Sequence, residues 1–120
     1  KHYFVDNGLL HLFINNPDKL LLENLCAITL YKKYGCGIYY FNRNIEVDFY
    51  VPDEGLAVQA SYRMSDESTL EREVKALVAL NSLYPLKKAM IVTYEDEGVM
   101  ERDGLKIEVV PVWKWVLNGV

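Results

Sequence analysis

The sequence predicts an α/β domain of the α+β type, with a central mixed sheet between helices in three layers and the element order αβββαββα. Residues 44–51 alternate strictly between polar and apolar side chains, and residues 56–62 alternate again after the turn at 52–55. A period of two is typical of half-buried strands, and a turn of four residues makes the two strands antiparallel neighbours. Helix-forming runs lie on either side of this pair, so sheet and helices are expected to pack in layers.

A segment that precedes the first helix, residues 3–14, reads as a short extended piece followed by a helical turn. The first helix itself is predicted to begin at Asn16, which can cap it, with Pro17 at the first helical position. It runs to Tyr34, where Gly35 supplies the residue that ends a helix in the left-handed conformation.

The three strands at residues 37–41, 44–51 and 56–62 are predicted to form an antiparallel meander. The second helix begins near residues 65–66, has a capping box in Ser68 and Glu71, and is closed by Pro85. Apolar runs at 89–93 and 106–110 are typical of buried strands, with Asp103-Gly104 as the turn before the second of them. Residues 112–117 are expected to form a final short helix.

Composition limits the functions that this chain can have. Its 120 residues form one predicted domain, residues 1–120, and the start at Lys1 without a methionine suggests a fragment of a longer protein. The net charge of −4 argues against avid nonspecific binding to duplex DNA. Two cysteines without a paired framework favour a reducing, cytoplasmic setting, and no apolar run reaches the ~20 residues of a membrane span.

Polar side chains recur on the two alternating strands. Glu46 and Asp48 share one face of their strand, and Gln59 and Ser61 share one face of the next. Acidic groups beside a short polar pair are what a divalent-metal site on two strands needs, since Mg²⁺ prefers oxygen ligands. No lysine accompanies Gln59 on its strand.

Glu23 is the third element of this candidate site. Its helical neighbours include Leu20, Cys26 and Ala27, which predicts a carboxylate on the core-facing side of the first helix. A buried charge is costly unless it is paired or binds metal. The alternative is a rotation of half a turn, which leaves Glu23 at the edge of the core.

An ordered set of short motifs resembles a known family. The motifs are K-x-Y-x-x-D-x-G-L at residue 1, LENL at 22, EVDF at 46, QASY at 59, TLERE at 69 and VPVWKWVL at 110. Together they resemble the DUF4143 family, the C-terminal domain that follows the ATPase module in prokaryotic AAA-type ATPases. That family is similar in fold to the PD-(D/E)xK superfamily of restriction-endonuclease-like nucleases.

The resemblance implies a role for each candidate residue. Glu23 matches the acidic residue of the first core helix, Asp48 the metal-binding aspartate, and Gln59 the glutamate or glutamine of the third strand. Ser61 stands where these nucleases have a lysine. Glu23 and Asp48 would then hold Mg²⁺, and the positive charge that the lysine gives to the scissile phosphate is missing.

Three interpretations follow. The first is a degenerate nuclease-like accessory domain that binds or assembles with its own ATPase module, with nucleic acid or with another protein. The second is an active Mg²⁺-dependent nuclease in which the lysine is replaced by Arg63, predicted on the same strand face two residues after Ser61, or by Lys75. The third is a purely structural module. Zinc-site spacings, a serine-hydrolase elbow and a P-loop are all absent from the sequence.

Overall fold

A computed structural model describes residues 18–42 and 44–118 of the chain. The predicted extended piece and helical turn at residues 3–14 lie outside the described residues, as do Asn16 and Pro17. Among the described residues, no helix combines the length and the apolar character that crossing a membrane requires.

Three helices are present in the described residues: α1 (Lys19–Tyr34), α2 (Glu67–Leu83) and α3 (Val112–Leu117). The predicted end of α1 at Tyr34 is confirmed, but Gly35 has φ 63° and ψ −133°, so the left-handed helical conformation predicted for it is wrong. Its N-terminal cap is Asp18, whose carboxylate accepts a hydrogen bond from the backbone nitrogen of Leu20 at 2.7 Å, so the cap predicted at Asn16 is wrong.

The second helix begins where the sequence predicts, but its cap differs. Asp66 is the N-cap, and its carboxylate accepts bonds from the backbone nitrogen of Thr69 and from the hydroxyl groups of Ser68 and Thr69. The capping box predicted from Ser68 and Glu71 is therefore wrong. An aspartate one position before the helix competes successfully because its two carboxylate oxygens serve several donors at once.

The sheet has six strands: β1 (Tyr39–Asn42), β2 (Glu46–Val51), β3 (Leu56–Ala60), β4 (Lys88–Thr93), β5 (Gly98–Arg102) and β6 (Leu105–Pro111). Their spatial order is β1-β2-β3-β4-β6-β5. The predicted antiparallel meander of β1, β2 and β3 is confirmed, and β3–β4 and β4–β6 pair in parallel, which makes the sheet mixed.

The predicted element order αβββαββα omits β5. Within the described residues this strand lies at the sheet edge and pairs with β6 alone. Its residues are exposed or half-buried, so burial imposes little pattern on it. A two-residue hairpin turn, Asp103-Gly104, joins β5 to β6 with positive φ at both residues. That turn is a strong hairpin signal, and it is the feature that could have identified the missing strand.

The predicted three layers are present. On one face of the sheet, α1 and α3 pack over residues that include Val58, Met90 and Val92. On the other face, α2 packs over residues that include Ala57, Ile91 and Ile107.

The strict alternation predicted along β2 is interrupted by a β-bulge. Tyr39 pairs with Tyr50 but Phe41 pairs with Val47, so Asp48 and Phe49 together lie opposite one residue of β1. As a result Val47 packs in the core under α2, whereas Phe49 packs in the core under α1. The prediction that Val47 and Phe49 face the same side is wrong, because an extra residue reverses the pattern.

Candidate functional site

The candidate site lies where β2 and β3 separate. Their backbone pairing joins Val51 to Leu56, Tyr50 to Ala57 and Phe49 to Val58, and it ends there. Beyond Phe49 and Val58, hydrogen bonds made by side chains take the place of the backbone bonds between the two strands. The backbone nitrogen of Asp48 donates to Gln59 Oε1 at 2.9 Å, and the backbone nitrogen of Ala60 donates to Asp48 Oδ2 at 2.8 Å. The gap is thus closed by the two polar side chains that the sequence singles out.

Both polar atoms of the Gln59 side-chain amide form hydrogen bonds with backbone groups. The residue is 1% exposed, and its Nε2 donates to the carbonyl oxygens of Glu46 at 3.0 Å and Glu73 at 3.2 Å. Together with the bond that Oε1 accepts, the amide connects β2, β3 and α2. Buried polar groups of this kind are costly when unpaired, and here they are satisfied.

A small cleft of about 130 Å³ opens beside this gap. Its lining comes from α1, α2, β2 and β3 and consists only of polar and charged residues: Lys19, Glu23, Glu46, Asp48, Gln59, Arg72 and Glu73. The structure therefore brings Glu23, Asp48 and Gln59 together in one polar cleft between the first helix and the sheet, as the sequence predicts. We refer to it as the acidic cleft because four of its residues are carboxylic acids.

Lys19 is a cation in the lining of the acidic cleft and lies close to two of its carboxylates. Its Nζ donates to the carbonyl oxygen of Ala60 at 2.8 Å, and it lies 3.5 Å from Glu23 Oε2 and 3.7 Å from Glu73 Oε2. The three oxygens belong to β3, α1 and α2. One ammonium group thus connects three elements at the point where the backbone pairing between β2 and β3 has ended.

Glu73 is the most buried acid of the cleft. It is 6% exposed, and burial raises its pKa to about 7, although the charge of Lys19 and the nearby Ser61 hydroxyl act in the opposite direction. Its Oε1 is buried and has no hydrogen-bond partner within the described part of the chain. The Ser61 hydroxyl instead donates a long bond of 3.4 Å to the carbonyl oxygen of Arg63.

Burial also raises the pKa of Asp48. The charges of Glu23 and Glu46 raise it further, while the hydrogen bond from Ala60 and the charge of Lys19 lower it. The neighbouring Cys26 thiol is fully buried, and its pKa is raised by that burial and by the charges of Asp48 and Glu23. A thiol in such surroundings stays protonated and is a poor nucleophile.

Glu23 does not lie on the core-facing side of α1 as predicted. Its side chain is 34% exposed, and the buried stripe of the helix consists of Leu22, Leu25, Cys26, Thr29 and Leu30. Leu20, one of the neighbours on which the prediction depended, is 66% exposed. The alternative, a position at the edge of the core, is the correct one.

The remaining candidates lie outside the acidic cleft. Ser61 is fully buried and, with Arg63, lines an adjoining cleft that shares Lys19. Arg63 follows the end of β3, so its predicted place on the same strand face is wrong; its guanidinium lies 5.1 Å from the centre of the Tyr62 ring. Lys75 lies in a separate groove along α2, where it is 4.0 Å from Glu71.

The cleft residues do not fit a divalent metal ion in this arrangement. Among the residues that the structure describes, no three acidic, histidine or cysteine side chains are placed so that they could hold one. One Asp48 oxygen accepts from Ala60, Gln59 is committed to the backbone, and an ammonium group lies between Glu23 and Glu73. Mg²⁺ would need oxygens at about 2.0–2.1 Å in octahedral geometry.

Sequence reasoning missed Lys19 and Glu73, although both carry a helical signal. Glu73 is three residues after Leu70 and four before Leu77, so it lies on the apolar stripe of α2. Lys19 is four residues before Glu23, a spacing that brings two side chains together on one helix face.

Comparison with known proteins gives little functional information. No family model and no solved structure matches the chain. Over an alignment of 120 residues it is 35% identical to an uncharacterized protein of Methanocaldococcus jannaschii. The alignment covers 88% of this chain and 26% of that protein, so the chain spans about a quarter of the length of the relative it matches.

Proposed function

We propose that this chain is an accessory domain of a AAA-type ATPase, with a degenerate nuclease-like site of the PD-(D/E)xK type, and that it acts by binding or assembly rather than by cleavage. The proposal rests on the ordered motifs that resemble the DUF4143 family. The mixed sheet between helices, with Glu23 on α1, Asp48 on β2 and Gln59 on β3, supports the fold part of the proposal.

One observation carries the degenerate part of the proposal. The two side chains that would act at a phosphodiester are occupied in holding the backbone: Gln59 bonds three backbone groups, and Asp48 accepts from Ala60. Freeing Gln59 would leave the backbone nitrogen of Asp48 without its acceptor, and freeing Asp48 would leave the nitrogen of buried Ala60 without one, at about 1–3 kcal/mol each. The site is thus built to hold β2 and β3 rather than to release ligands for chemistry.

The alternative of an active Mg²⁺-dependent nuclease has weaker support. Neither of its proposed cations, Arg63 or Lys75, lines the acidic cleft. Arg63 is the better of the two, because it lines the adjoining cleft that shares Lys19, whereas Lys75 faces a groove on the far side of Arg72. This chain matches about a quarter of the length of its archaeal relative. That share is compatible with a domain of a longer protein, which the accessory role requires.

A nuclease assay tests the proposal. Single-stranded, duplex and branched DNA are incubated with the chain in Mg²⁺ and in Mn²⁺, beside Asp48→Ala and Ser61→Lys variants whose folding is checked by circular dichroism. We expect no cleavage by the unmodified chain, because Ser61 carries no charge and the nearby Lys19 ammonium group is engaged by Ala60 and two carboxylates. Cleavage that disappears in Asp48→Ala would overturn the proposal in favour of the nuclease, whereas activity confined to Ser61→Lys would support a degenerate site.

Assembly is tested separately by co-purification with the ATPase module of the full-length protein. The ATPase module, expressed without this domain, is purified with and without the domain supplied as a separate chain. Stable association supports an accessory role. Failure to associate, together with a lack of cleavage, would leave the structural interpretation in place of the proposed one.

A further inference from the structure

The acidic cleft concentrates negative charge in a small volume. Glu23, Glu46, Asp48 and Glu73 line it, and Lys19 and Arg72 are the cations in its lining. Carboxylates that lie close together repel one another, most strongly where they are buried, and a cation between them reduces that repulsion. A positive group at this position therefore stabilises the folded chain, whatever the function of the cleft.

We propose that the Lys19 ammonium group occupies the cation position of the acidic cleft and takes the place of a divalent metal ion. The proposal rests on the degenerate site described above and identifies what fills it. Lys19 Nζ contacts one carbonyl oxygen and lies near two carboxylates, at 2.8, 3.5 and 3.7 Å. An ammonium group has three donors, which matches three oxygens on three different elements.

Glu73 supplies an independent sign that the cleft is built around a cation. It is more than nine-tenths buried, its Oε2 faces Lys19, and its Oε1 has no partner among the residues described. A carboxylate this buried is normally paired or bound to a metal. With Lys19 removed, Glu73 would lose the larger of its two counter-charges, and only the weaker effect of Arg72 would remain in a cleft that Asp48 and Glu23 also line.

The ammonium group is tethered from the first turn of α1, four residues before Glu23. Because Lys19 is part of the chain, its ammonium group has a fixed local concentration at the cleft. A free divalent ion must displace this group, and it must also compete with the hydrogen bond that Lys19 donates to Ala60. This predicts that the unmodified chain binds divalent ions poorly at the cleft, and that removing the ammonium group creates a binding site.

Titration with Mn²⁺, followed by the loss of its free paramagnetic resonance signal, tests the inference on the unmodified chain, Lys19→Met and Lys19→Arg. Lys19→Met keeps the apolar stem and removes the charge. We expect it to bind Mn²⁺ at least about tenfold more tightly than the unmodified chain, since the carboxylates lose their internal cation. Lys19→Arg is the matched control and should remain a weak binder.

The double variant Lys19→Met with Glu73→Gln covers the case in which Lys19→Met does not fold. It removes the ammonium group and its most buried acidic neighbour together. Where Lys19→Met folds, we expect the double variant to have higher thermal stability and weaker Mn²⁺ binding than Lys19→Met; where it does not, we expect the double variant to fold, as judged by circular dichroism. A double variant that is no more stable than Lys19→Met, or that also fails to fold, would overturn the inference, because the two charges would then not depend on each other.

Tight Mn²⁺ binding by the unmodified chain, or equal binding by the unmodified chain and Lys19→Met, would also overturn it. This failure is distinguishable from failure of the proposed function, which is decided by DNA cleavage and by association with the ATPase module. A chain that binds Mn²⁺ but cleaves nothing would refute the role of Lys19 and leave the accessory function standing.

Discussion

Replacing Gln59 by methionine should weaken the fold at the separation of β2 and β3. Methionine has nearly the volume of glutamine, so little cavity is created, and the change isolates the loss of hydrogen bonds. The backbone nitrogen of Asp48 loses its acceptor, and the carbonyl oxygens of Glu46 and Glu73 lose a donor. These groups belong to β2 and α2, so the effect is not confined to one element.

The expected loss is about 2–4 kcal/mol in the free energy of unfolding. The Asp48 nitrogen should carry most of it, since a buried donor left unpaired costs about 1–3 kcal/mol. The two carbonyl oxygens should add less, because Glu46 is exposed to water and the carbonyl of Glu73 lies within helix α2, where a helical bond also satisfies it.

Urea unfolding at pH 7, followed by circular dichroism, measures this loss. Asn81→Ala is the matched control, because the Asn81 side chain accepts a single hydrogen bond, from the backbone nitrogen of Leu86 at 2.9 Å. We expect the control to lose about 1 kcal/mol or less. If Gln59→Met loses no more than Asn81→Ala with an unchanged dependence on urea, the side chain of Gln59 does not hold the two strands, and the argument for a degenerate site fails.

Two further predictions concern α2. The pKa of Glu73 is raised to about 7, so the folded chain binds more protons than the unfolded chain between about pH 4.5 and 7, and stability falls as the pH rises through that range. Glu73→Gln should remove about 2–3 kcal/mol of this fall, measured by urea unfolding at pH 5 and pH 8; an equal fall in both proteins would contradict it. Arg102 makes two bonds to the Glu71 carboxylate, at 2.9 and 3.2 Å, but both side chains are partly exposed. Arg102→Met should therefore lower the free energy of unfolding only slightly, and by less in 1 M NaCl; a loss that salt does not reduce would rule out an ionic contribution.

The elements with strong periodic patterns could be predicted from the sequence, and the exceptions have physical reasons. The meander, both long helices and α3 appear where the alternation, the helical spacing and the turn residues place them. The edge strand β5 was missed because Val99 is 65% exposed and burial imposes no alternation there. Caps were misplaced because several polar residues compete for each helix start, and only the backbone geometry decides between Asn16 and Asp18 or between Ser68 and Asp66.

The candidate site was predictable in its members but not in their roles. The alternation of the two strands places Asp48 and Gln59 near each other, yet it cannot show that a bulge against β1 occurs at Asp48 or that the pairing of β2 with β3 ends beside it. Where pairing ends, the nearest polar side chains satisfy the freed backbone groups. Asp48 and Gln59 do so here, and their positions in the sequence do not reveal that task.

The same reasoning explains why Lys19 is at the cleft. Ala60 gives its backbone nitrogen to Asp48, and its carbonyl oxygen accepts from Lys19, so both polar groups of this residue are satisfied by side chains on the β2 side of β3. Lys19 therefore donates a hydrogen bond to a carbonyl oxygen at the strand separation, and it also gives buried Glu73 a counter-charge. If only the carbonyl mattered, Lys19→Gln, which keeps a donor without the charge, would preserve stability at pH 8. We expect Lys19→Gln to be less stable than the unmodified chain at pH 8. The difference should shrink toward pH 5, where Glu73 is protonated and needs no counter-charge.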